Sequence, residues 1–156
     1  MIYKFQPMSQ DYADEIANRW RYDGIYSFYN MDADQEDLQE FLNPTKREDS
    51  YFVVINKREI IGFYSFREIS DGIIDIGLGM KPSLTGQGSG FEFVKAGLDF
   101  ANSTYILEKF TLSVATFNTR AINVYKKVGF KEYGMYIQAT NGSSFEFLKM
   151  IYEFKE

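Results

Sequence analysis

Between Ile73 and Ala115 the sequence passes through a short apolar run, three glycines at alternate positions, a long amphipathic run and a second short apolar run. That order leaves few folds open. The glycines are Gly86, Gly88 and Gly90, within Pro82-Ser83-Leu84-Thr85-Gly86-Gln87-Gly88-Ser89-Gly90. Removing every second Cβ lets the turn take positive φ and aim successive N–H groups into one concavity. Ile73 to Met80 reads as a strand, and about Ser89 to Ser103 as a helix with Phe93, Val94, Gly97, Leu98 and Ala101 on one stripe. Lys109 to Ala115 alternates as a second strand. A strand, tight turn, helix and strand in this order close as a right-handed crossover into a parallel pair.

The helix after the glycines presents free N-terminal amides and a partial positive charge, which suits a pyrophosphate. Two better-known phosphate loops do not fit. No Lys-Ser or Lys-Thr follows Gly90, as a triphosphate loop needs, and the spacing G-x-G-x-G is not G-x-G-x-x-G. A plain tight turn before a helix also uses glycine, so the loop by itself leaves both readings open.

A second pattern lies downstream. Asn118 to Phe130 fits N-x-x-A-x-x-x-Y-x-x-x-G-F at every fixed position. Cap rules account for Asn118 at the start of a helix and Gly129 at its end, and amphipathicity accounts for Ile122, Val124 and Val128. Neither rule requires Ala121 or Tyr125.

In this order the two elements resemble the GNAT superfamily of N-acetyltransferases. The family's pyrophosphate loop reads Q/R-x-x-G-x-G/A, and the Asn-Ala-Tyr-Gly-Phe helix follows about thirty residues on. The resemblance covers most of the chain, firmly from Ile73 to Phe130. One departure is Thr85, which stands where the family usually has Gln or Arg; it removes one long polar side chain from the phosphate contacts.

The resemblance implies an α/β fold (α+β by some schemes). Its sheet is mixed and mostly antiparallel, with about six to seven strands flanked by about four helices. Its parallel strand pair splays apart to hold acetyl-CoA. On this pattern Thr85, Gly86, Gln87, Gly88, Ser89 and Gly90 hold the pyrophosphate, and the backbone of Leu78, Gly79 and Met80 pairs with pantetheine. Asn118 hydrogen-bonds the cofactor arm. The alternate glycines of Asp75-Ile76-Gly77-Leu78-Gly79-Met80 suggest a bulge or a close backbone neighbour, or simply a strand on a crowded helix face.

The chemistry expected of the site follows from which residue types are present. Cysteine and histidine are both absent, which removes a thiolate nucleophile, a Ser-His-Asp triad, a disulfide and an ordinary Cys/His zinc site. Acetyl then moves directly from thioester to amine. Tyr125 is the candidate general acid, because a phenol stays protonated at neutral pH and can give its proton to a departing thiolate. It is also one of twelve tyrosines, and packing is the competing reading. Asp75 matches the position of a family carboxylate that acts as base through water; the alternative is a solvated polar residue.

Outside these motifs, 2–6 reads as a strand, Ser9 to Trp20 as a capped helix, and Asp34 to Leu42 as a helix stopped by Asn43-Pro44. Tyr51 to Ile55 and Ile60 to Phe66 form a hairpin over Asn56-Lys57-Arg58-Glu59, and Asp71-Gly72 turns into the next strand. Lys131 to Gln138 and Ser144 to Tyr152 form a last hairpin closed at Thr140-Asn141-Gly142, where Asn-Gly favours a primed turn. The acceptor pocket is expected from the segment Trp20 to Asp32. Trp20, Tyr22, Tyr26 and Tyr29, with Phe28, give contact area and polar tips there. Phe91 and Tyr136 are further candidates. Core completion explains the same rings equally well.

Composition sets the remaining expectations. A chain of 156 residues, 45% apolar and 25% charged, fits one domain over 1–156. A formal charge of −5 argues against nucleic-acid binding. The first residues carry no long apolar run, so neither a signal peptide nor a membrane anchor is expected, and cytoplasmic residence follows. A homodimer is compatible with exposed strands near the C-terminus. The function expected is N-acetyltransfer from acetyl-CoA to a primary amine, on a small molecule, protein N-terminus or lysine. The alternatives are an acyl-CoA-binding sensor without chemistry and, disfavoured by the loop spacing, a nucleotide-binding regulatory domain.

Overall fold

The computed structural model describes residues 3–47 and 49–154. The chain opens with β1 (Lys4–Pro7) and α1 (Gln10–Arg19), whose N-terminus is closed by Ser9 Oγ accepting from Tyr12 N at 3.2 Å. Of the strand expected at 2–6, Ile2 lies outside the described residues. Next come α2 (Gln35–Leu42), capped by Asp34, and a one-turn α3 (Pro44–Arg47). Asn43-Pro44 ends α2 as expected, yet Pro44 then starts α3, since proline is accepted in a first helical turn. Arg47 ties the new turn down. It is buried and donates to the Phe41 carbonyl at 2.6 Å and to Gln10 Oε1 at 2.9 Å.

A meander follows: β2 (Tyr51–Asn56), β3 (Glu59–Ser70) and β4 (Ile73–Met80). The first hairpin turns on Lys57 and Arg58, both at positive φ (51° and 68°) without a glycine. Two-residue hairpins need that backbone to match strand twist. The chain then runs through α4 (Gly90–Thr104), β5 (Lys109–Ala115), α5 (Thr119–Val128), β6 (Lys131–Thr140) and β7 (Ser143–Glu153). Asn141 and Gly142 close the last hairpin at φ 51° and 78°, the primed geometry expected of Asn-Gly.

All seven strands lie in one sheet, in the order β1-β2-β3-β4-β5-β7-β6. Every neighbouring pair is antiparallel except β4 and β5. That parallel pair is short: Ile73 faces Lys109, Ile74 faces Phe110, Asp75 faces Thr111, and there the pairing ends. Beyond it β4 stays bound to β3 as far as Met80, and β5 to β7 as far as Ala115. Each bank of the gap is therefore held by its other neighbour. The bond from Lys81 N to Ile61 O sets the hydrogen-bonding parity of β4. Alternation then turns the N–H and C=O groups of Ile76, Leu78 and Met80 away from β3 and into the gap.

Side chains on the two faces form two clusters. One face packs Tyr64, Phe66, Ile74, Ile76, Phe110 and Leu112 against Phe93, Val94, Leu98 and Ala101 of α4 and Tyr125 of α5. The other packs Val53 and Ile60 against Ala13, Ile16 and Ala17 of α1 and Phe41 of α2, with Trp20 beside them. Among the described residues, no helix is long and apolar enough to cross a membrane.

Gly97 marks the tightest approach of α4 to the sheet. A Cβ there would lie 2.2 Å from Tyr64 Cζ, and Tyr64 is fully buried with its hydroxyl donating to the Phe93 carbonyl at 2.8 Å. The ring cannot move away, because it stacks on Phe66 and Phe93. Gly97→Ala is expected to destabilise the fold by about 1–3 kcal/mol, against the usual gain of alanine in a helix. Urea unfolding measures it, and an unchanged midpoint would contradict the packing argument.

Candidate active site

The gap between β4 and β5 opens into a cleft of about 600 Å³. One bank is Gly77, Leu78, Gly79 and Met80, the other Leu112, Ser113 and Val114. The glycine turn, with Thr85, Gly86, Gly88 and Gly90, lies at one end, and α5 contributes Asn118, Arg120, Ala121, Val124 and Tyr125. Trp20, Tyr22, Tyr26, Tyr29 and Met31 reach it from the segment between α1 and α2. The structure thus gathers most residues singled out in the sequence. Phe91 also lines the cleft, whereas Gln87, Ser89, Phe28 and Tyr136 do not. Phe28 packs on Phe117 and Phe145, and Tyr136 stacks on Phe147, so both rings complete apolar packing elsewhere.

On the β4 bank the glycines have a steric cause. A Cβ on Gly77 would lie 2.6 Å from Ser65 Oγ, and one on Gly79 would lie 2.5 Å from the Phe63 ring. These are the residues directly opposite on β3. No register shift occurs here, so there is no bulge, and the crowding comes from side chains of the neighbouring strand β3 rather than from a helix face. The Met80 carbonyl, turned into the gap, accepts a 2.5 Å hydrogen bond from the Tyr22 hydroxyl. Backbone of β4 and acceptor-side segment are therefore joined directly.

At the glycine turn, Gly86 and Gly88 take φ of 74° and 84°, values an L side chain adopts only under strain. Thr85 Oγ1 donates to the Pro82 carbonyl and Gln87 Nε2 to the Ser83 carbonyl, both at 2.7 Å. Those two side chains shape the turn. Thr85 as a direct phosphate ligand would first have to break its own bond. Sequence reasoning missed Arg120. Its guanidinium lies against Gly86, 2.8 Å from where a Cβ would stand, and 4.3 Å from the centre of the Tyr26 ring. The available signal was helical spacing, since Arg120, Val124 and Lys127 form one stripe of α5 along the cleft.

Asn118 does two structural jobs. Its Oδ1 caps α5 by accepting from Ala121 N at 3.2 Å, and its Nδ2 donates to the Tyr29 hydroxyl at 3.0 Å. Tyr125 is nearly buried, with its ring against Phe130, and it lines the cleft. Burial pushes its pKa above the ordinary phenol value, and Tyr29 adds to the shift. Burial likewise raises Tyr22 and, against an opposing hydrogen bond from Asn118, Tyr29.

Asp75 stands apart. It is the last β4 residue paired with β5, and its Oδ1 accepts from Thr111 Oγ1 at 2.7 Å while Arg67 Nη2 lies 3.7 Å from Oδ2. The cleft opens only beyond this pair, and Asp75 does not line it. Its carboxylate fastens the closed end of the strands, so the base role expected of it lacks a geometric footing.

A mixed sheet parted at its one parallel pair, with positive-φ glycines and a facing capped helix at the opening, describes an acyltransferase-type fold that holds an elongated cofactor between strands. Residues 4–131 match the acetyltransferase (GNAT) domain, and the chain belongs to that family, whose enzymes use acetyl-CoA. Solved structures agree in fold. A chimera of the Vibrio cholerae spermidine N-acetyltransferase is 22% identical, with a TM-score of 0.72 over 97% of this chain and 95% of that one. The V. cholerae enzyme in complex with CoA and spermine is 19% identical, with a TM-score of 0.71 over the same shares, 97% and 95%. A putative phosphinothricin N-acetyltransferase is 13% identical, with a TM-score of 0.73 over 99% and 100%. No curated protein sequence matches the chain.

The buried tyrosines make alkaline stability a test of this packing. Tyr22, Tyr64 and Tyr125 all have pKa values raised by burial. Above about pH 10 the unfolded chain sheds phenolic protons that the native state keeps, so stability present below that pH is lost as pH rises further. The melting temperature is expected to hold between about pH 7 and 9 and then fall steeply. A melting temperature that stayed level through about pH 11 would contradict it.

Proposed function

We propose that this protein transfers an acetyl group directly from acetyl-CoA to a primary amine. The observation that carries the reading is Tyr125, a protonated and nearly buried phenol that lines a cleft with, among the described residues, no cysteine, histidine or carboxylate in its walls. The unpaired edge of β4 and the amides of the glycine turn offer the long polar contacts that pantetheine and pyrophosphate need. Arg120 brings a long cationic side chain beside Gly86, next to position 85, where the family usually has Gln or Arg and this chain has Thr.

In the reaction, the amine nitrogen attacks the thioester carbonyl and the C–N bond forms. The tetrahedral oxyanion collapses, the C–S bond breaks, and the sulfur takes the Tyr125 proton. The amine's proton leaves to water, and solvent reprotonates the phenolate. A phenol with a raised pKa gives up its proton only to a strong base, which a departing thiolate confined with it becomes. No covalent enzyme intermediate is needed, in keeping with a chain that has no cysteine.

Coenzyme A is expected to raise the melting temperature, and Tyr125→Phe to lower kcat by about a hundredfold or more while leaving the Kd for CoA within about twofold. Unchanged turnover would remove Tyr125 from the chemistry. The absence of thiol release with every amine, alongside normal CoA binding, would favour the acyl-CoA sensor instead. Arg120→Ala is expected to weaken CoA about tenfold or more with little loss of kcat, as measured by calorimetry and saturation kinetics.

A further inference from the structure

The acceptor side of the cleft is walled by Trp20, Tyr22, Tyr26, Tyr29, Met31 and Phe63. Among the described residues no carboxylate lines the cleft, and its two charged groups, Arg120 and Lys127, are both cationic and both on α5. The acids carried by the neighbouring segment do not line the cleft, and Asp23 among them is exposed. Asp32 pairs with Arg21 at 2.6 Å on the surface. Asp34 caps α2 and accepts from Thr140 Oγ1 and Asn141 N at the tip of the last hairpin. Asp37 joins Asp34 in a separate hollow of about 260 Å³.

Resting on the acetyltransferase reading above, we infer that the acceptor is a monoamine carried on an aromatic or comparably apolar group, and not a polyamine. A polyamine brings further ammonium groups into the cleft, and a buried ammonium without a counter-ion is strongly disfavoured. Aromatic walls instead match an aryl-alkyl body by area and ring packing, and they can hold a single arriving ammonium over a ring face. The same lining explains how the nucleophile is made without a histidine or a cleft carboxylate. An apolar surround favours the uncharged amine, so the acceptor releases its proton to water as it enters. The C–N bond then forms and the C–S bond breaks as already described, with Tyr125 protonating the sulfur. The spermidine N-acetyltransferase complexed with CoA and spermine shares the fold, at 19% identity, and the fold does not carry the acceptor with it.

The test compares 2-phenylethylamine with spermidine at saturating acetyl-CoA by thiol release, and measures each amine's Kd by calorimetry in the presence of CoA. The expected result is a kcat/KM about tenfold or more higher for 2-phenylethylamine, and a matching order of affinities. Met31→Glu, checked for an unchanged melting curve, places a carboxylate on the acceptor wall and is expected to narrow that ratio. Equal use of the two amines, a preference for spermidine, or binding of neither would overturn the inference. Binding of CoA with 2-phenylethylamine preferred in calorimetry, but no thiol release from either, would overturn the enzyme reading and leave the binding preference standing. A wild-type ratio in favour of spermidine would do the reverse.

Discussion

Three residue pairs hold β4 to β5, and the site depends on there being no more of them. A parallel pair that continued would satisfy its own backbone and leave no gap. A pair that never formed would leave α4 without a fixed crossover. The protein stands between these because each strand has a better partner on its far side. Antiparallel β3 follows β4 to Met80, and antiparallel β7 follows β5 to Ala115. The Asp75–Thr111 hydrogen bond closes the paired end, and beyond it Ile76, Leu78 and Met80 turn backbone into the opening, where, among the described residues, only the Met80 carbonyl is met, by the Tyr22 hydroxyl. Unpaired backbone groups demand partners, so the opening is chemically a site for an extended polar ligand before any side chain is considered.

A second consequence is that the two halves of the site are mechanically joined. The segment between α1 and α2 contains short 3-10 helices at Gly24–Tyr29 and Met31–Ala33, and three of its aromatic residues fasten onto cofactor-side elements. Tyr22 bonds the Met80 carbonyl, Tyr29 bonds Asn118, and Tyr26 lies under Arg120. This aromatic wall of the cleft is therefore built on β4 and α5 rather than beside them. An N-cap residue that also holds a wall of the cleft links local helix stability to the shape of the cleft.

The legibility of these features in the sequence varied with their range. The strand–glycine–helix–strand order, the Ser9 and Asn118 caps and the Asn141-Gly142 turn were readable because each depends on residues within a few positions of one another. The loop glycines and Tyr125 were readable because their pattern is short and ordered. The surroundings of Asp75 were not readable, because position on a strand does not say where pairing ends; they depend on Thr111 and Arg67, both brought from other strands. Arg120 went unnoticed because its partners, Gly86 and Tyr26, lie on separate elements.

By itself the sequence determined the elements, their caps and turns, the family, and the absence of cysteine and histidine from the chemistry, since these follow from local backbone preference and residue type. Tertiary structure alone decided where the parallel strands part, which tyrosines are buried and so stay protonated, and that aromatic residues rather than the neighbouring acids line the cleft. Burial, pKa and electrostatic character are properties of a side chain's surroundings. Those surroundings come from residues distant in sequence, which only the packed sheet and helices bring together.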